Sequence, residues 1–112
     1  MGVLGATTST ANIGPWAVTA LTPGTTVTLT VTQGPVFTET AAQNQTINAS
    51  GTQVAGQRII LIITNDATPR TITFGTGFRA VSTLVGTANK AATISFVSDG
   101  TSLFETSRAL VL

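Results

Sequence analysis

The stretch that decides the fold is residues 25–32, Thr-Thr-Val-Thr-Leu-Thr-Val-Thr. Apolar and hydroxylated side chains alternate strictly, so Val27, Leu29 and Val31 share one face and the threonines share the other. Because the side chains of a strand point alternately to opposite faces, this pattern predicts a β-strand with one buried face. The branched Cβ atoms of threonine and valine favour the same conformation.

Further strand patterns follow at short intervals along the chain. Residues 57–64 contain five consecutive aliphatic side chains, Ile59 to Ile63, which predict a central strand covered on both faces. Residues 91–97 alternate again, and Asp99-Gly100 predicts a two-residue hairpin turn into a return strand at 101–108. Shorter strand candidates are 36–40, 45–49, 70–74 and 78–85.

These patterns predict the fold class and the domain organisation. Short strands separated by turn signals about every 8–12 residues are typical of a sandwich or barrel, and no segment has a helical period. We therefore predict an all-β fold, a β-sandwich or jelly-roll-like single domain spanning residues 25–112. Residues 1–24 form an extended N-terminal arm in this prediction, because small residues and the breakers Pro15 and Pro23 interrupt regular structure.

The composition argues against several classes of function. Only 8% of the 112 residues are charged, the net charge is +1, and the chain has neither Cys nor His. Disulfides, thiolate nucleophiles, cysteine zinc sites and the usual general base are thereby excluded. Four carboxylates without a recognisable pairing are a poor basis for acid–base chemistry. We expect no enzyme, and no catalytic, cofactor-binding or metal-binding residue.

The sequence lacks both a long apolar run and a basic N-terminal start, and this bears on its partners and location. No apolar run approaches the roughly 18 residues of a transmembrane helix, and residues 1–20 lack the basic start of a signal peptide. We therefore expect no membrane partner and no secretion by that route. The five basic residues are scattered singly rather than clustered, so we expect no nucleic-acid partner either.

The distribution of charge suggests a partner of another kind. No side chain is charged before Glu39, although a neutral, flat strand would pair with other chains if it lay at an edge. Burial against other subunits would protect it, so we predict a closed oligomer; the alternative is that both ends fold back on their own domain. Trp16 either plugs the core of its own domain or docks on a neighbouring subunit. The predicted partner-binding residues are Ile13, Trp16, Leu110, Val111 and Leu112.

The sequence between Ile59 and Glu105 resembles a segment of structural proteins of tailed bacteriophages. In that segment an aliphatic strand and a Thr-Asn-Asp turn precede Thr-Ile-Thr-Phe-Gly, and a Gly-Thr-x-x-Lys piece leads to Ser-Phe-Val-Ser-Asp-Gly-Thr and an aromatic strand. The corresponding pieces here are 61–66, 71–75, 86–90, 95–101 and 103–105. The family often has an aromatic pair before the glutamate, whereas this chain has Leu103-Phe104.

The resemblance implies an all-β virion protein, similar to a small capsid decoration, or cement, protein. Such a protein would be made in the host cytoplasm, would bind the major capsid protein on the outer surface of the head as a homotrimer, and would stabilise the capsid without any cofactor. An alternative is a fibre, spike or head-fibre module that binds a host-surface glycan. A tail-tube or connector component is a third interpretation.

Overall fold

The computed structural model describes residues 17–79 and 81–112. This part of the chain contains a short 3-10 turn at Val31–Gln33 and no α-helix. The all-β prediction is therefore confirmed. The strands are β1 (Val18–Ala20), β2 (Thr26–Thr30), β3 (Val36–Ala41), β4 (Gln45–Ser50), β5 (Arg58–Asn65), β6 (Thr71–Phe74), β7 (Leu84–Val85), β8 (Ala91–Ser98) and β9 (Leu103–Ala109).

The strands form two sheets that face each other across one core. One sheet has five strands in the order β9-β8-β5-β3-β1, and the other has four in the order β2-β4-β6-β7. From β1 to β6 the chain alternates between the sheets, and each strand from β3 onward pairs in parallel with the strand two before it. The strands β8 and β9 then form an antiparallel hairpin on β5. The structure is thus a sandwich of two mixed sheets. Strands β1 to β6 pass back and forth between the two sheets, and the β8–β9 hairpin extends the five-stranded one.

The core follows directly from the alternation seen in the sequence. Val27 and Leu29 of β2 are buried while the threonines beside them are exposed or half-buried. Strand β5 lies in the middle of its sheet, as predicted, and turns Ile59, Leu61 and Ile63 inward. Burial of such side chains is the main favourable contribution to folding, about 1.5–3 kcal/mol for each large aliphatic residue. Inward side chains of both sheets, from Val27 to Leu103, belong to one continuous hydrophobic cluster.

Two local predictions need correction. The hairpin between β8 and β9 has a four-residue loop, 99–102, instead of a two-residue turn. The Asp99 side chain explains the longer loop, because its Oδ1 accepts hydrogen bonds from the backbone N–H groups of Thr101 and Ser102 at 2.9 and 2.8 Å. The predicted strand at 78–85 is reduced to β7, together with a single bridge between Phe78 and Leu103.

The structure also shows where residues 17–24 of the predicted arm lie. Strand β1 pairs with β3 over three residues, from Val18 opposite Val36 to Ala20 opposite Thr38. Ala17 and Leu21, on either side of β1, are buried. These residues therefore belong to the edge of the five-stranded sheet. The rest of the predicted arm, residues 1–16, lies outside the described residues.

Candidate interaction surface

The chain end that sequence analysis singled out lies along the start of β8. The backbone of Leu112 exchanges two hydrogen bonds with Ala91, with N···O distances of 2.9 and 3.2 Å. The side chains nevertheless remain open to solvent, with 40% of Leu110, 61% of Val111 and 62% of Leu112 exposed. The backbone is thus fixed beside the sheet while three aliphatic side chains are available for contact. The other two predicted partner-binding residues, Ile13 and Trp16, lie outside the described residues.

A second apolar surface lies on the outside of the five-stranded sheet. We call it the apolar outer face and define it by Val18, Val36, Ile60 and Ile62. Val18, Val36 and Ile60 are direct cross-strand neighbours on β1, β3 and β5. Val18 and Ile60 are 43% and 39% exposed, and no described residue covers them. Large aliphatic side chains that adjoin one another on an open sheet face mark a contact surface more strongly than scattered ones do.

A shallow groove deepens one end of the apolar outer face. Its volume is about 280 Å³, and its walls include Leu21, Pro23, Thr38 and Ile62. The groove exists because β1 pairs with β3 only as far as Thr38, so the last three residues of β3 have a strand neighbour on one side alone. The aliphatic walls of this groove suit an extended, uncharged segment of a partner protein.

The C-terminal residues Leu110, Val111 and Leu112 and the apolar outer face belong to opposite edges of the five-stranded sheet. Residues 110–112 follow β9 at one edge, and Val18 lies on β1 at the other. Five strands at a spacing of about 4.8 Å separate these edges by about 19 Å. Between them two of the four outward residues of β8 are hydroxylated, Thr93 and Ser95, which lie in register with Ile62 and Ile60. A large partner could contact both parts, but the structure does not bring the predicted residues together in a pocket.

The outside of the four-stranded sheet has a different chemistry. Its outward side chains form cross-strand rows of hydroxyl and amide groups, such as Thr26, Thr46 and Thr73, or Thr28 and Asn48. Beside one row is an open groove of about 380 Å³ whose walls include Asn44, Gln45 and Thr71. This face offers hydrogen-bonding groups without charge, whereas the other sheet offers aliphatic contact.

Two ion pairs occupy structural positions near chain turns and edges. Asp66 accepts hydrogen bonds from the Arg70 guanidinium at 3.0 and 2.7 Å, and this contact lowers the pKa of Asp66. Glu105 accepts hydrogen bonds from Arg108 at 2.5 and 2.8 Å, which likewise lowers its pKa. Each arginine is thus satisfied by a neighbouring carboxylate of the same turn or strand and does not form part of a basic patch.

One carboxyl group lies inside the sandwich. Glu39 on β3 is only 5% exposed and accepts a hydrogen bond from the side-chain amide of Gln45 on β4. Burial raises the pKa of Glu39, and the hydrogen bond from Gln45 offsets part of that rise.

Within the described residues, no three carboxylate, histidine or cysteine groups form a cluster that could hold a metal ion. The same part of the chain has no helix long and apolar enough to cross a membrane.

Comparison with known proteins adds no assignment. A scan against models of protein families matched none of them, and a search of curated protein sequences found no significant match.

Sequence analysis missed the apolar outer face as a site, although the signal was present. Five consecutive aliphatic residues on β5 place side chains on both faces of the strand, and the prediction was that both faces are covered. The core covers Ile59, Leu61 and Ile63, while nothing among the described residues covers Ile60. Val18 gave no such signal, because its neighbours in the sheet become visible only once the parallel pairing is known.

Proposed function

We propose that the protein is a structural component of a tailed-bacteriophage virion, a decoration protein that binds the major capsid protein on the outer surface of the head. The observation that supports this proposal is the partly exposed aliphatic row Val18, Val36 and Ile60 on a domain with few charged residues. The resemblance of residues 61–105 to phage structural proteins points to the same class. In this function the domain stabilises the shell by burying surface between capsid subunits, and it carries out no catalysis.

The apolar outer face gives such binding a physical basis. Burial of apolar surface contributes about 25 cal/mol for each Å² removed from water, without requiring a directional contact. The outward residues of β1 and β3 carry no charge, and the one charged outward residue of β5 is Arg58, the first residue of the strand, next to Ile60 on the same face. Binding through this face should therefore depend only weakly on salt, since screening acts on charges.

The test is binding of the 112-residue chain to phage heads that lack decoration, measured by co-sedimentation. Ile60→Glu places a charge in the middle of the apolar outer face, and Thr73→Glu places the same charge on the exposed outside of the four-stranded sheet. We expect Ile60→Glu to weaken head binding at least about tenfold, which corresponds to about 1.4 kcal/mol, and Thr73→Glu to bind normally. Failure of the unaltered protein to bind heads would reject the function, and equal weakening by both variants would reject the assigned face.

A second candidate function has a specific observation in its favour. The groove beside Asn44, Gln45 and Thr71 on the four-stranded sheet presents hydroxyl and amide groups without charge, as a carbohydrate site does. A fibre or spike module that binds a host-surface glycan would use this groove. Binding to an array of bacterial surface glycans, abolished by Thr73→Glu and unaffected by Ile60→Glu, is the result expected for this function. The two variants thus separate the two proposals.

A further inference from the structure

In the part of the chain that the structure describes, the two sheets have four edge strands, and three of them are protected against pairing with another chain. Strand β9 has a bulge between Glu105 and Ser107 and carries the charged side chain of Arg108. Strands β7 and β1 contain only two and three residues. Bulges, charges and short length are the devices by which sheet edges avoid further pairing. Strand β2 has none of them, because it runs for five regular residues without charge or proline.

The backbone groups that β2 offers at this edge can be assigned from its parallel pairing with β4. The carbonyl of Thr25 accepts a hydrogen bond from the backbone N–H of Thr46 on β4 at 2.9 Å. Successive residues of a strand direct their N–H and C=O groups to opposite sides, so the groups of residues 25, 27 and 29 point toward β4. Those of Thr26, Thr28 and Thr30 therefore point to the outer side, where no described strand lies.

We propose that a second copy of this chain covers the edge, with the β2 strands of the two copies paired antiparallel about a two-fold axis at Thr28. The sequence of β2 is suited to pairing with itself. Thr28 then lies opposite Thr28 of the second copy, Thr26 opposite Thr30, and Val27 opposite Leu29, so hydroxylated residues meet on one face and aliphatic residues on the other. Such cross-strand pairs are stabilising.

The absence of charge around β2 favours a second copy of the same chain as the partner that covers this edge. An isologous contact brings each surface against itself, so any charged residue near the axis would face a like charge. Residues 17–38, which contain β1, β2 and the turn after them, have no charged side chain at all. The long neutral stretch noted in the sequence thus coincides with the one unprotected edge of the described sandwich.

An uncharged groove beside β2 offers contact surface beyond a single strand pair. A groove of about 390 Å³ lies between β1 and β2, with walls that include Thr19, Ala20, Pro23, Thr26 and Thr28. The groove shows that both strands lie on the same flank of the sandwich. Stable interfaces usually bury about 1,200–2,000 Å² in total, more than five paired residues supply alone. The groove, with the exposed side chains of Thr26 and Thr28 beside it, supplies additional uncharged surface.

This proposal does not depend on the proposed function. A two-fold pair also differs from the trimer that the resemblance to phage proteins implies, so the molar mass in solution decides between them. The full chain, measured by light scattering after size exclusion, should be a dimer of about twice 11.4 kDa. A monomer, or a trimer, would overturn the two-fold pairing.

Single cysteines test the register, since the chain has no cysteine of its own. Thr28 and its counterpart would form a hydrogen-bonded pair with a Cα–Cα distance of about 5.5 Å, within the range of a disulfide. Thr26 would lie about 13–14 Å from its own counterpart, because four residues of strand separate them. Under a mild oxidant, Thr28→Cys should therefore cross-link at least about tenfold faster than the matched control Thr26→Cys.

A proline at position 28 tests the same strand pairing in a second way. Thr28→Pro removes one outward N–H without removing a bond to β4, so it should keep the fold and release monomers. If Thr28→Pro fails to fold, the cysteine pair and the molar mass still decide. Equal cross-linking of both cysteines would reject the register, and a monomer without cross-linking would reject the pairing itself.

Discussion

The side-chain amide of Gln45 on β4 donates a hydrogen bond to the carboxyl group of Glu39 on β3, and this contact joins the two sheets inside the sandwich. Glu39 Oε2 and Gln45 Oε1 are also buried, and neither has a hydrogen-bond partner among the described residues. Two acceptors without a donor are unfavourable, because a buried polar atom without a partner retains its desolvation cost. A proton on Glu39 removes the cost of burying its charge, which agrees with the direction in which burial moves its pKa.

The first prediction concerns the pH dependence of stability. Because the pKa of Glu39 is higher in the folded state than the ordinary value of 4.5, the folded protein holds this proton more tightly than the unfolded chain. The contribution of Glu39 is therefore fully present below pH 4.5 and is lost as the pH rises through the folded-state pKa. Glu39→Gln keeps a donor at all pH values, so it should increase stability at pH 8 by about 1–3 kcal/mol. Urea denaturation at pH 4 to 8 measures both effects.

A matched control is available in Glu105, the other glutamate of the chain. The hydrogen bonds from Arg108 lower its pKa, so its contribution is present above pH 4.5 and lost as the pH falls through the lowered value. Glu105→Gln should consequently reduce stability at neutral pH, opposite to Glu39→Gln. An identical response of the two variants to pH would contradict the interpretation of Glu39.

The second prediction concerns Arg108, which ties the last strand to the segment before β7. Besides its two contacts with Glu105, its guanidinium donates to the backbone carbonyls of Thr83 and Ser82 at 2.9 and 3.1 Å. One planar group with several donors makes all these contacts, which the single ammonium group of lysine cannot reproduce. Arg108→Lys should therefore lower the free energy of unfolding by about 1–3 kcal/mol, close to the effect of Arg108→Ala. Thermal or urea denaturation checks this, with exposed Arg58→Ala as a control that should change little.

The burial of side chains within a strand could be predicted from the sequence, whereas the pairing of distant strands could not. Alternation within 25–32 and 91–97 predicted which side chains are buried, because a period of two depends only on the local backbone. The pairing of β1 with β3, and of β2 with β4, was not predictable in this way. Residues 18 and 36 become neighbours through a connection that passes through the other sheet, and no local pattern encodes that distance. The apolar outer face, the open edge of β2 and the Glu39–Gln45 contact all depend on this non-local pairing.

The third prediction compares neighbouring residues on the two faces of β5. Leu61 is fully buried, whereas Ile60 is 39% exposed on the apolar outer face. Leu61→Ala leaves a cavity in the core and should lower the free energy of unfolding by about 2–5 kcal/mol. Ile60→Ala should cost less than about 1 kcal/mol, because much of its side chain is already in water. Similar losses from both variants in urea denaturation would show that the outer face is covered within the folded chain.

The last prediction concerns Asn65, whose side chain holds the turn between β5 and β6. Its Oδ1 accepts the backbone N–H of Arg70 at 3.1 Å, and its Nδ2 donates to the carbonyls of Asp66 and Thr68 at 3.0 and 2.5 Å.

Asn65 is only 4% exposed, and removal of its amide leaves the N–H of Arg70 and the carbonyl of Thr68 without this partner, while the carbonyl of Asp66 still accepts the N–H of Asn89 at 2.8 Å. Asn65→Asp keeps the shape and the acceptor but loses both donated hydrogen bonds and adds a buried charge. We expect Asn65→Asp to lower the free energy of unfolding by about 2–4 kcal/mol at pH 7 and by less at pH 3, where the carboxyl group is protonated. Asn44, exposed and bonded to the N–H of Thr71 through its Oδ1 alone, is the control. Asn44→Asp keeps that acceptor and should be nearly neutral, and a large loss from Asn44→Asp with none from Asn65→Asp would contradict the role given to the buried amide.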